Sequence, residues 1–255
     1  MTERTTNFPK QIEMIPVMPA KENVWVFIMA GQSNMAGRGI VEPKDTIADK
    51  RILSINKEGK LIFAKEPLHF YEPNLTGLDC GLSFAKTLLK KIPGNISILI
   101  IPTAVGGSAI SQWLGDSLYR GVHLFSNFTT KVNNAKQLGI IKGILWHQGE
   151  SDANEKNSGK YEERLGTLIT KFRTVAGVND LPVLMGELGS FSKTKEQFSL
   201  INQTIHHYAF QNTNISVIST SDLKDKGDSL HFNSAGQRAM GKRFAEAYLQ
   251  KYPVQ

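Results

Sequence analysis

The chain has one cysteine, Cys80, in 255 residues, so no disulfide can form within it. That absence does not decide the compartment, because large exported enzymes often lack disulfides. No apolar run reaches the length that crosses a bilayer. The opening residues, Met1 to Ile12, are polar and charged and contain no apolar h-region. The chain is therefore expected either to be cytoplasmic or to be an exported protein whose leader has been removed. A long basic run is also missing. Thirty Lys and Arg against 23 Asp and Glu give a net charge of +7, but the lysines are scattered. A solvated basic surface is expected, with no nucleic-acid partner and no membrane partner. There is no internal repeat, no low-complexity tract and no composition shift that would mark a second domain.

Hydrophobic residues make up 40% and charged residues 21% of the chain, the balance of a globular protein with a sizeable core. We read residues 1–22 as a polar lead-in, with prolines at 9, 16 and 19, and residues 23–255 as one domain. Strand-like apolar runs occupy 24–30, 51–56, 96–101, 140–146, 182–187 and 215–219. A turn signal, Lys57-Glu58-Gly59-Lys60, ends the second run. Helical spacing covers 82–91, 127–138, 161–175, 197–211 and 235–250, the last with Asn233 or Ser234 as its N-cap. This alternation predicts a mainly parallel sheet covered on both faces. Ligands of such sheets bind beyond the carboxyl ends of the strands. Polar segments stand at four such ends: 31–37, 102–113, 147–152 and 186–190.

The first of these, Gly31-Gln32-Ser33-Asn34-Met35-Ala36-Gly37, puts a serine on the turn leaving a buried strand. Far downstream, Asp228-Ser229-Leu230-His231 sets an acid three residues before an imidazole. Asp228 in this position can hold Nδ1–H of His231, leaving Nε2 to take the proton of Ser33. The bland alternatives are a helix-capping serine and a surface Asp–His pair. Gly-x-Ser-x-Gly is absent, because Met35 occupies the last glycine position, so the elbow of α/β-hydrolases is not matched. Acyl transfer also needs donors for the oxyanion. Candidates are the N–H of Ser33, the Gly106-Gly107 pair, and the side-chain amide of Gln148. Against these stands the reading of Gly106-Gly107 as a flexible turn. His147, Glu150 and Asp152 cluster as possible metal ligands, but their spacing fits neither His-Glu-x-x-His nor a structural zinc pattern, so no metal is expected. Gln32, Asn34, Trp113 and His147 are candidates for the substrate pocket, with core packing the alternative for Trp113 and Trp146.

Three segments, Gly31–Gly37, Trp146–Asp152 and Asp228–Phe232, together resemble the SGNH-hydrolase superfamily. More narrowly, they resemble carbohydrate esterase family 6 and the sialic-acid-specific acetylesterase-like domain. The resemblance covers roughly residues 24–250. It implies a flavodoxin-like three-layer α/β/α sandwich with a central parallel sheet of about five strands. It also implies release of acetyl groups from an acetylated carbohydrate partner, without a cofactor. By motif position, Ser33 would be the nucleophile, His231 the base and Asp228 its acid. Gly107 or Gly106 and Gln148 would complete the oxyanion hole. Glu150 is the alternative acid, because some relatives orient the histidine with the Glu of this segment.

Overall fold

A computed structural model describes residues 3–253. Its strands are β1 (Val24–Gly31), β2 (Ile52–Ile55), β3 (Leu61–Phe63), β4 (Ser97–Pro102), β5 (Leu118–Tyr119), β6 (Val122–His123), β7 (Ile140–His147), β8 (Val183–Gly186) and β9 (Ile215–Ile218). Its α-helices are α1 (Ser33–Ala36), α2 (Gly81–Leu88), α3 (Ile110–Leu114), α4 (Leu124–Leu138), α5 (Tyr161–Ala176), α6 (Lys195–Gln211) and α7 (Ser234–Lys251).

Seven strands form one sheet in the order β3-β2-β4-β1-β7-β8-β9, while β5 and β6 make a separate hairpin. Every pairing in the large sheet is parallel except β2 with β3. The expectation of about five strands is thus corrected to seven. Part of the difference is β3, three residues too short to show a period of its own. The Lys57–Lys60 signal does not merely end β2. It is the turn of a hairpin, closed by Asn56 N–H donating to the Lys60 carbonyl at 2.9 Å. The lead-in runs along the open edge of β3, where Phe63 N–H donates to the Glu13 carbonyl at 2.9 Å.

β1 is apolar on both sides because both sides are covered. Val26, Ile28 and Ala30 pack with Trp113, Phe128, Phe172 and Ile201, from α3 to α6. Phe27 and Met29 pack with Phe84, Phe244 and Tyr248, from α2 and α7. Each of the larger aliphatic and phenylalanine side chains contributes about 1.5–3 kcal/mol by leaving water. Gly143 marks a bulge: Val26 pairs with Ile141 and Phe27 with Gly143, so Lys142 is skipped. From β1 the chain builds first toward β2 and β4, then toward β7, β8 and β9. The carboxyl end of β1 is therefore the switch point where the crevice opens.

Candidate active site

Gly31 ends β1 at φ +136°, and a Cβ there would lie 2.1 Å from the His147 carbonyl oxygen. Gln32 N–H donates to that same carbonyl at 3.0 Å. The two backbones approach too closely for any side chain, so glycine is required. The chain then turns into α1 with Ser33 as its first residue. Ser33 N–H, an orphan donor of the first turn, has no protein acceptor among the described residues.

The loop between β9 and α7 carries the imidazole. His231 Nε2 lies 3.0 Å from Ser33 Oγ, and His231 Nδ1 lies 2.7 Å from Asp228 Oδ2. Asp228 Oδ1 accepts the backbone N–H groups of Leu230 at 3.0 Å and His231 at 2.8 Å. Partial burial raises the Asp228 pKa, but the backbone and ring N–H groups of His231 and the Leu230 N–H outweigh it and hold it at about 2. A carboxylate that stays ionised fixes the tautomer with hydrogen on Nδ1 and leaves Nε2 as the acceptor. The loop itself is held by Asp225, whose Oδ2 accepts N–H from Gly227 at 3.0 Å and Ser229 at 2.6 Å. Ser229 sits at φ +57°, a strained conformation for a residue with a Cβ.

Several sequence expectations change here. Glu150 does not reach the imidazole; its Oε1 accepts from Asn34 Nδ2 at 2.6 Å and lies 3.5 Å from His147 Nδ1. Asn34 is fully buried and does not line a pocket. Its amide clasps the loop on both sides of His231: Nδ2 donates to the Leu230 carbonyl and Oδ1 accepts from Phe232 N–H, each at 3.1 Å. His147 is buried under the site, its Nε2 2.9 Å from the Glu187 carbonyl and its ring edge-on to Phe232. Trp113 is core, packed edge-to-face on Trp146, with Nε1 donating to Ser108 Oγ at 2.9 Å. Gln32 is 3% exposed. Its Oε1 accepts from Ser151 N–H and Gln148 Nε2, and its own Nε2 has no partner among the described residues. That amide remains a donor for the crevice.

The expected oxyanion donors divide. Gly106 N–H is occupied, donating to Glu72 Oε2 at 2.6 Å. Glu72 also takes Arg38 at 2.8 Å and is paired with Arg120. Burial raises its pKa, but these cations and the Gly106 N–H overcome that and keep it below the usual carboxylate range. Gln148 is fully buried, and its Nε2 faces three acceptors: Asp152 Oδ2 at 2.6 Å, Ser108 O at 3.1 Å and Gln32 Oε1 at 3.2 Å. Two N–H bonds are spent on three acceptors, leaving none for substrate. Gly107, at φ +79°, keeps an N–H with no protein acceptor among the described residues. Its turn is tied to the serine turn by Val105 N–H donating to the Gly31 carbonyl at 3.2 Å. Sequence reasoning missed the Arg38–Glu72–Gly106 brace and the Asn34 clasp. Their partners lie 34 to 198 residues apart, and no local pattern announces them. No group of three His, Cys, Asp or Glu suited to a metal occurs among the described residues.

A hydroxyl, an imidazole and a carboxylate stand in line at the switch point of an α/β/α sheet, the arrangement of the serine-hydrolase class. The family model for the carbohydrate esterase, sialic acid-specific acetylesterase domain matches residues 23–250, and the chain belongs to that family of carbohydrate O-acetylesterases. A probable carbohydrate esterase of Arabidopsis thaliana, At4g34215, is 26% identical over 250 residues, 89% of this chain and 91% of that protein. The crystal structure of the Arabidopsis protein superposes with a TM-score of 0.79, covering 90% of this chain and 98% of the other. NanS, 22% identical, superposes with a TM-score of 0.72 over 92% of this chain and 98% of its own. The carbohydrate acetylesterase XAC1771 from Xanthomonas citri shares the fold at 20% identity and a TM-score of 0.68, over 88% of this chain and 56% of its own.

Proposed function

We propose that the protein removes acetyl groups from O-acetylated carbohydrates through an acetyl-enzyme on Ser33. The observation that carries this reading is the 3.0 Å approach of His231 Nε2 to Ser33 Oγ, with Asp228 2.7 Å from the other ring nitrogen. Ser33 Oγ attacks the acetyl carbonyl while its proton passes to Nε2. The oxyanion rests on the free N–H groups of Ser33 and Gly107, with the Gln32 amide beside them. His231 then protonates the departing sugar oxygen, and the ester C–O bond breaks. A water gives its proton to Nε2 and its oxygen to the acetyl carbon. Acetate leaves as the proton returns to Ser33 Oγ. Family membership and the Arabidopsis relative support a sugar ester as substrate. Xylan acetate and sialate acetate are both within this reading.

Ser33→Ala keeps the fold and removes the attacking oxygen. Acetate release from an acetylated sugar is expected to fall by roughly 10⁶ in kcat. Turnover near the wild-type level would overturn the assignment. Comparing acetate with octanoate esters separates a sugar acetylesterase from an esterase of longer acyl chains. Sugar binding without acetate release by the wild type would instead mark a degenerate carbohydrate-binding protein.

A further inference from the structure

Two of the donors expected at the oxyanion are spent elsewhere, the Gly106 N–H on Glu72 and the Gln148 amide on Asp152. Tyr119, which belongs to none of the motif segments, stands beside the donor that remains. A Cβ on Gly107 would lie 2.9 Å from the Tyr119 hydroxyl. A backbone nitrogen is about 2.5 Å from the Cβ position of its own residue. The Tyr119 oxygen is therefore within about 5.4 Å of the Gly107 nitrogen. Two hydrogen bonds of about 2.8 Å that meet on one oxygen span up to about 5.6 Å. One ester oxygen can thus accept from the Gly107 N–H and the Tyr119 O–H together. The hydroxyl has no hydrogen-bond partner among the described residues, so its proton is available to a substrate.

The β5–β6 hairpin holds this hydroxyl in place. Successive residues of a strand face opposite sides: Leu118 is exposed, while Tyr119 is half-buried and packs against the cluster that contains Trp113 and Phe128. Arg120 and Gly121 make the turn at φ +49° and +78°, the left-handed pair that a two-residue hairpin favours. At the base, an Asp116 carboxylate oxygen accepts the Ser126 N–H at 2.8 Å, and the Asp116 carbonyl lies 3.0 Å from His123 Nδ1. At the tip, the Arg120 guanidinium stands 5.7 Å from the Tyr119 ring centre and is bonded to Glu72. Glu72 is also the carboxylate that accepts the Gly106 N–H. One side chain therefore ties the hairpin to the oxyanion turn and keeps Tyr119 and Gly107 in register. A donor fixed before charge develops stabilises a transition state without reorganising.

We propose that Tyr119 is a catalytic residue: its hydroxyl donates to the oxyanion beside the Gly107 N–H. This role rests on the esterase reading and adds to it a donor from a hairpin outside the three motif segments. A hydrogen bond to an ionised acceptor is about twice as strong as one between neutral groups. The contact therefore strengthens as the carbonyl oxygen takes up charge, and it acts on kcat more than on KM.

Tyr119→Phe keeps the ring and its contact with Arg120 and removes only the hydroxyl. Wild type and variant are compared on 4-nitrophenyl acetate and on an acetylated sugar. The variant is expected to lose about 10–10²-fold in kcat on both, with KM within about twofold; the loss is smaller than for an enclosed donor because Tyr119 is partly exposed. O-4-nitrophenyl thionoacetate, followed at enzyme excess so that slow acylation is still read, separates an oxyanion contact from a structural one. Its sulfur is a weak hydrogen-bond acceptor, so the ratio of wild type to variant should fall toward unity. A variant whose fold or Ser33 is disturbed slows the oxygen and sulfur esters equally, and that result overturns the assignment. So does an unchanged kcat on the oxygen esters, or a loss confined to KM on the sugar. Each of these leaves the esterase reading standing, because the wild type still releases acetate. A wild type that releases none, and that Ser33→Ala does not slow, removes the esterase reading and the Tyr119 role with it.

Discussion

Asn34→Ala removes a fully buried side chain and three hydrogen bonds, one buried and two partly buried. The Phe232 N–H loses its acceptor at 3.1 Å, the Leu230 carbonyl loses its donor at 3.1 Å, and Glu150 loses a charge-assisted contact at 2.6 Å. Glu150 is the critical partner, because its Oε2 is already buried without a partner. An unsatisfied buried polar group costs about 1–3 kcal/mol, and a charged one costs more. The variant should therefore lose roughly 3–5 kcal/mol of stability, if the loop stays in place, or release the loop and recover part of that cost. The second course moves His231, whose two flanking backbone groups are the ones Asn34 holds. A displacement of about 1 Å between reacting groups costs on the order of 10² in rate. Both consequences are measurable in one preparation: thermal unfolding by circular dichroism, and kcat on 4-nitrophenyl acetate. Kinetic loss without change in KM would show the reacting groups misplaced rather than the ester badly bound. A double-mutant cycle with Glu150→Gln isolates the charged contact, and a coupling above about 0.5 kcal/mol is expected for groups in direct contact. An Asn34→Ala enzyme with wild-type kcat and unchanged melting temperature would refute the clasp.

Asp228→Asn reverses the hydrogen on the imidazole and should lower kcat by about 10³–10⁴ in the same assay. The Asp228 pKa is depressed from 3.8 to about 2, so its stabilising contribution is complete above 3.8 and lost as pH falls through about 2. The stability gap between wild type and Asp228→Asn should close over that window in acid titrations, and a gap that persists below it would contradict the pairing. Gly107→Ala strains a φ of +79° and sets a Cβ 2.9 Å from the Tyr119 hydroxyl, so kcat should drop about 10²-fold if the Gly107 N–H serves the oxyanion; an unaffected kcat removes Gly107 from that role. Burial pushes the Glu66 pKa well above 4.5, and the Asp79 charge adds to it. The folded state then holds this proton more tightly than the unfolded chain, so stability falls as pH rises from about 4.5 through the folded pKa. Glu66→Gln should flatten that decline in melting temperature, and an identical slope in both proteins would rule it out.

What the sequence determined by itself was local and periodic. The apolar runs of β1, β4, β7, β8 and β9 and the amphipathic spacing of α5 follow from burial on one or two faces, and burial leaves its period in the residues. Ser33 and the Asp228–His231 pair were legible because each rests on a short motif, and a serine leaving a buried strand and an acid three residues from an imidazole can be seen without a fold. Whatever depends on distance across the chain came from the folded arrangement alone. It brought Ser33 and His231 together from 198 positions apart and put Asp228, not Glu150, on the ring. It assigned the Gln148 amide to Asp152, withdrew the Gly106 N–H to Glu72, buried Trp113 and His147, and turned Asn34 into a clasp. The physical reason is that a hydrogen-bond donor serves whichever acceptor the packing brings within about 3 Å. Residue type states what a side chain can give, and only its neighbours in space decide what it has left to offer a substrate.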